Sequence, residues 1–237
     1  AVCKWIKQSF ACREGWSALA KLANDKTCRQ EIAETAGMVE DVVSAMQFCD
    51  EQQHIAGSTL LRCLAKSEDL RKMIVDEGGV AAILHGVSKS QPEAVAAGCR
   101  ALRALAKDCK SLTQIARDDG IKSVVAAMQG LKGDGTVQKE GCELLCYLGF
   151  CQPNLRERIV WAGGVEAVVP SFRHHTLGEV VHTHAFETWA DLGQDKENRM
   201  VLAKAGCIKV VVNAMQMHET AEVHEAGCKV LLHLAAT

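Results

Sequence analysis

Cys142, Cys146 and Cys151 form the densest thiol set in the chain, and His174, His175, His182 and His184 the densest imidazole set. Thiolates and imidazoles gathered this way could ligate zinc or run redox chemistry. Both sets also have plainer readings. Cys142 and Cys146 are four residues apart, the spacing of one helical face and equally of a helix core. No Cys-x-x-Cys pair and no His-Glu-x-x-His helix accompanies them. His182 falls in register with His54, Gln138 and His224, so it reads as a recurring architectural residue. His174 and His175 are expected in an exposed connection. A phosphate loop of the Gly-x-x-x-x-Gly-Lys-Ser/Thr kind and a Gly-x-Ser-x-Gly elbow are both missing. No catalytic residue, metal or cofactor is therefore assigned; a thiol- or His-dependent metal or redox protein is kept as an alternative.

The elements that would position such groups are helical. Of 237 residues only ten are aromatic and three are proline, against 48% apolar residues, a balance that disfavours a β-sandwich. With 27 basic and 29 acidic residues the net charge is −2, so no overall field draws the chain to nucleic acid or an anionic membrane. Nucleic-acid binding ranks as a further, disfavoured alternative. The twelve cysteines fall mostly in apolar helical patterns and read as small buried hydrophobes in a reducing, intracellular compartment. The cytoplasm is the foremost expectation, and an organelle the alternative if the start is a processed end. No apolar run reaches the ~18–20 residues that span a bilayer, so membrane association is expected only through a partner. The opening Ala1-Val2-Cys3, without Met or a signal sequence, suits a processed product or a stretch of a longer chain.

Two interlocked periods run through the sequence. Leu followed by a small residue recurs at Leu22-Ala23, Leu64-Ala65, Leu105-Ala106, Leu148-Gly149, Leu192-Gly193 and Leu234-Ala235, spaced by 42, 41, 43, 44 and 42. Seven or eight residues before each stands Gly15, Gly57, Gly98, Gly141, Ala185 or Gly227. A second anchor, Val39, Val80, Ile121, Val165 and Ile208, is followed seven residues later by Met46, Val87, Met128, Phe172 and Met215. Each unit resolves into three helices. A short first helix, such as 29–36 or 156–161, stops at a glycine turn: Ala36-Gly37, Gly78-Gly79, Asp119-Gly120, Gly163-Gly164 or Ala205-Gly206. The second helix runs from the Val/Ile anchor to the Met/Phe position, and the third is the longest. Pro92 and Pro153 suit helix starts, whereas Pro170 should shorten or kink its second helix. The recurring glycines, three of them in Gly-Cys pairs, imply helix crossings too close for a side chain.

With these marks the chain resembles the armadillo repeat family. The likeness rests on the Gly-Gly-Val turn, the Val137-Gln138 opening of a third helix and the Leu-Ala ending. It covers five repeats, at 27–66, 67–107, 108–150, 151–194 and 195–237, with 1–26 as the latter part of a preceding one. The resemblance implies an all-α, right-handed superhelix forming a single solenoid over 1–237, whose third helices line a concave groove. A two-helix HEAT-type repeat is the structural alternative. It also implies a non-catalytic scaffold or accessory subunit that binds a protein partner through the groove or the solenoid ends. Starting mid-repeat without a polar cap, the array is expected to have its first end covered by more chain or by a partner.

Armadillo proteins that hold extended peptides carry Trp and Asn four residues apart on the third helix. Here the Trp-equivalent positions are Ser17, Thr59, Arg100, Glu143, Glu187 and Lys229, and the Asn-equivalent ones Lys21, Cys63, Ala104, Tyr147, Asp191 and His233. The ladder is missing, which argues against nuclear-import cargo and cadherin-tail partners. The groove instead carries charge of alternating sign. Lys21, Arg62, Arg100 and Arg103 make a basic half, Glu143, Glu187 and Asp191 an acidic stretch, and Lys229 returns to basic. Such charge is an ordinary solvated face, or the counterpart of a partner with an acidic and a basic stretch. Thr59, Tyr147 and His233 complete the candidate binding residues.

Overall fold

The computed structural model describes residues 13–35, 37–89, 91–107, 109–117, 119–174 and 177–236. It divides into two compact units, Ala1–Ala127 and Met128–Thr237. The described residues contain sixteen helices and no strand. The first unit opens with α1 (Arg13–Leu22). Two complete helix triplets follow: α2 (Lys26–Glu34), α3 (Met38–Met46) and α4 (Glu51–Leu64), then α5 (Glu68–Asp76), α6 (Gly79–Ser88) and α7 (Pro92–Leu105). α8 (Cys109–Arg117) and α9 (Gly120–Gly130) begin a third triplet, and the division between units falls inside α9. The second unit continues with α10 (Gly135–Cys151). It then holds the triplets α11 (Asn154–Trp161), α12 (Gly164–His174), α13 (Glu179–Leu192) and α14 (Lys196–Ala205), α15 (Cys207–Met217), α16 (Ala221–Ala235). Within the first unit α1, α4 and α7 lie side by side in sequence order, and within the second α10, α13 and α16 do.

Aspartates start many of these helices. Asp25, Asp134 and Asp195 each accept a hydrogen bond from a backbone N–H of the first turn, and Asp50 forms a reciprocal capping box with Gln53. Between first and second helices the chain reverses through one left-handed residue, at Gly37, Gly78, Gly163 and Gly206 with φ from 74° to 87°. In the third repeat that residue is Asp119, with φ 53°, and not the adjacent glycine. Aspartate is one of the few side chains that visits this region. The second glycine of the turn answers a different need. A β-carbon on Gly79 would stand 2.4 Å from Ile74 Cγ2, and one on Gly164 equally close to Ile159 Cγ2.

The two sequence periods are the two sides of one contact. A β-carbon on Gly57 would approach Met46 Sδ to 2.9 Å, on Gly98 Val87 Cγ2 to 2.6 Å, on Gly141 Met128 Sδ to 2.6 Å and on Gly227 Met215 Sδ to 2.8 Å. The small position of the third helix thus receives the large residue that ends the second helix of the same repeat. The neighbouring cysteines Cys99 and Cys142 are buried there, but Cys228, expected to be packed likewise, is exposed. Pro170 does not shorten its helix, since α12 runs on to His174. The carbonyl deprived of its donor belongs to exposed Glu166, on the solvent side, where water can serve it.

A further recurrence ties successive repeats together. Arg29 Nη1 donates to Ala23 O at 2.6 Å, Arg71 Nη1 to Ala65 O at 2.8 Å, Arg156 Nε to Gly149 O at 2.8 Å and Arg199 Nη1 to Gly193 O at 3.0 Å. In each case a first helix reaches back to the small residue at or within the last turn of the preceding third helix, satisfying a carbonyl the helix end leaves open. Only the Leu105-Ala106 ending, among those followed by a repeat, has no arginine six or seven residues on: Leu112 and Thr113 stand there.

Candidate functional site

The third helices of the first unit gather the basic candidates on one surface. Arg62 on α4 and Arg103 on α7 occupy equivalent positions of adjacent helices, and Arg100 stands in register with Thr59. All four are half-buried, their stems against the helix surface. Between α1 and α4 a cleft is lined by Arg13, Lys21 and Arg62 together with the polar Ser17, Asn24 and Thr59, and its described lining contains no carboxylate. Three cations with amides and hydroxyls between them, and no carboxylate among the described lining residues, make a site suited to carboxylates. Arg13 is the member that sequence reasoning missed. It precedes the first complete repeat, and one turn along α1 from Ser17 was the only signal for it.

The third-helix face of the second unit is chemically different. Its carboxylates have partners within the chain: Glu187 Oε1 lies 3.4 Å from Lys229 Nζ, and Asp191 pairs with Arg156. Lys229 also meets Glu225 at 2.9 Å. The basic residue that the sequence places as a separate return of charge therefore sits against the acidic stretch. Arg156, unmarked in the sequence reading, was detectable through its spacing from Arg29, Arg71 and Arg199. Tyr147 and Phe150 flank His184, with ring centroids 5.9 and 4.2 Å away, and the Phe150 ring stacks on the imidazole. Glu143 and His233 are half-buried on α10 and α16.

No family model matches the sequence, and no curated protein does. Solved structures do. An engineered protein is 22% identical over 99% of this chain and 96% of its own length, with a TM-score of 0.79. A designed armadillo repeat protein is 14% identical, with 94% and 92% covered and a TM-score of 0.75. Another designed armadillo repeat protein, solved in complex with the peptide (KR)4, is 15% identical, with 93% and 92% covered and a TM-score of 0.72. The fold is an armadillo repeat fold. Three helices per unit set aside the two-helix alternative, and the armadillo scaffolds it resembles include peptide binders.

Within this armadillo fold the histidines and thiols are placed as parts of the frame. His54 is buried, its Nε2 2.9 Å from Ala82 O and its ring where a β-carbon on Gly86 would fall. Gln138 Nε2 donates to Met128 O at 2.7 Å and to Leu131 O at 3.1 Å. His182 Nδ1 is 3.1 Å from Gly178 O, and His224 Nε2 is 2.9 Å from His218 O. The shared position thus binds backbone carbonyls in four repeats. Cys142 and Cys146 are buried with their sulfurs 3.9 Å apart, and burial holds the Cys142 thiol well above the ordinary range. Among the described residues no three His, Cys, Asp or Glu side chains converge as a metal site. His175 lies outside the described residues, and only the backbone of His174 is described, closing α12.

Burial pushes the His54 and His182 imidazoles below the usual histidine range, against the opposing pull of their carbonyl partners. Lys89 and His85 add repulsion at His54, and His218 does at His182. Both rings are therefore neutral when folded, while the unfolded chain takes up their protons near pH ~6.5. Stability is full above that value and is lost as the pH falls through it. Tm should drop between pH 7.5 and 5.5, and His54→Gln with His182→Gln, the residue used at position 138, should flatten the drop. An unchanged slope in that variant contradicts the assignment.

Proposed function

We propose that the chain is a non-catalytic protein-interaction scaffold that holds an acidic segment of a protein partner on the third-helix face of its first unit, as an accessory member of a larger assembly. The cleft lined by Arg13, Lys21 and Arg62 without a carboxylate carries this reading, extended by Arg100 and Arg103 on α7. The peptide complex of a designed armadillo protein supports peptide capture as a use of such a fold. The second unit, whose Glu187 and Asp191 are paired within the chain, offers less charge to a basic segment. A reducing intracellular setting is proposed with it, supported by the burial of Cys49, Cys63, Cys142 and Cys146 as thiols in helix packing.

Fluorescence anisotropy with a labelled Asp/Glu-rich dodecapeptide tests the assignment. Arg62→Glu with Arg103→Glu should weaken binding roughly 30-fold, about 2 kcal/mol, while circular dichroism shows the variant folded. Undiminished binding by the folded variant sinks the proposal. So does tighter binding of a Lys/Arg peptide or of a single-stranded RNA than of the acidic peptide.

A further inference from the structure

One junction between repeats is built unlike its counterpart. His54, which opens α4, reaches across to the second helix of the next repeat: its Nε2 lies 2.9 Å from Ala82 O on α6. The ring fits because Gly86 has no β-carbon; one there would stand 2.0 Å from His54 Cε1. Gln138 opens α10 in the same register, but α12 carries buried Ser171 at the position of Gly86. The longer side chain turns back on its own repeat, where its Nε2 donates to Met128 O at 2.7 Å and to Leu131 O at 3.1 Å. Where His54 bridges to Ala82, the gap between Gln138 and Ala167, the counterpart of Ala82, stays open as a cavity of about 550 Å³. That volume lies in the ~300–1,000 Å³ range of small-molecule sites. Every lining residue belongs to the second unit.

The lining is apolar at Met128, Ala167 and Pro170 and carries two opposite charges, Lys132 from the α9–α10 connection and Glu166 from α12. Among the described residues neither charge has an ion pair or a side-chain hydrogen bond. Gln138 is 4% exposed, and with its amide hydrogens spent on two carbonyls its Oε1 is an acceptor without a donor. A buried acceptor left so is costly until a donor reaches it. Pro170 also deprives Glu166 O of its helical donor. An anion alone would meet Glu166, and a cation alone Lys132; a ligand bearing both charges suits both. We propose that this cavity binds a small zwitterion with an apolar body, of the class of a free dipeptide. Its ammonium is held by the Glu166 carboxylate and Gln138 Oε1, its carboxylate by Lys132, and its side chain lies on Met128 and Pro170. None of these residues takes part in the acidic-peptide reading, so the two stand or fall separately.

Isothermal titration calorimetry of the whole chain with the dipeptide Ala-Phe should show saturable binding. N-acetyl-Ala-Phe and Ala-Phe amide, each lacking one charge, should bind at least roughly tenfold more weakly. Lys132→Gln should erase the preference over the amide and keep that over the acetylated form, and Glu166→Gln should do the reverse. Both side chains are exposed, so the variants should fold as the wild type does, with acidic-peptide binding unchanged. A wild-type chain that takes up no Ala-Phe at about 10 mM overturns the proposal. Equal binding of either blocked form does so too, as do preferences that survive both substitutions.

Discussion

Valine in place of Gly79 should destabilise the fold by about 3 kcal/mol, read as a lowered urea midpoint at unchanged slope. A β-carbon there would stand 2.4 Å from Ile74 Cγ2 and 2.7 Å from the Ile74 carbonyl oxygen. The methyl could be removed by Ile74→Ala, but the oxygen belongs to the helix backbone and cannot swing aside. The double variant should therefore recover only part of the loss. Gly141 offers the contrast. Its close neighbour is the flexible Met128 side chain, at 2.6 Å from Sδ, and Gly141→Ala should be largely relieved by Met128→Ala. Equal recovery in both pairs would show that side-chain crowding, and not the backbone approach, governs the turn.

Arg156→Ala should lower stability by about 2 kcal/mol, the scale of a charge-assisted hydrogen bond lost at a part-buried site. Arg156 Nε donates to Gly149 O at 2.8 Å while its Nη1 pairs with Asp191. Its side chain is 13% exposed, so water does not readily replace the lost donor. Lysine carries the charge but not the fork, so Arg156→Lys should recover little of the loss. Asp191→Asn removes only the more exposed pairing and should have the smaller effect in the same denaturation series. A lysine variant as stable as the wild type would show that charge alone is at work.

Periodicity made the fold legible. Glycines at 57, 98, 141 and 227 and large residues at 46, 87, 128 and 215 could be read as two series, because each repeat solves the same packing problem. That the two series touch one another shows only in three dimensions, because each contact joins two different helices. So did Asp119: the dipeptide Asp119-Gly120 invites the glycine as the turn residue, yet Gly120 is committed to the close approach with Ile115, whose O would be 2.5 Å from a β-carbon. The basic half of the candidate face was legible because Arg62 and Arg103 repeat in register. The acidic half was misleading because charge along a sequence does not show its partners. Lys229 reaches Glu187 from the next third helix, and Arg156 reaches Asp191 from a first helix.

The arginine links bear on how such an array comes apart. Each hydrogen bond from Arg29, Arg71, Arg156 or Arg199 joins one repeat to the one before, so it is a coupling between neighbours and not an internal property of either. In a linear lattice of repeats, cooperativity is the sum of such couplings. The step from α7 to α8 lacks the arginine link, and the left-handed Asp119 lies beyond α8. That junction has one coupling fewer of this kind, so an unfolding front travelling along the chain is expected to pause there.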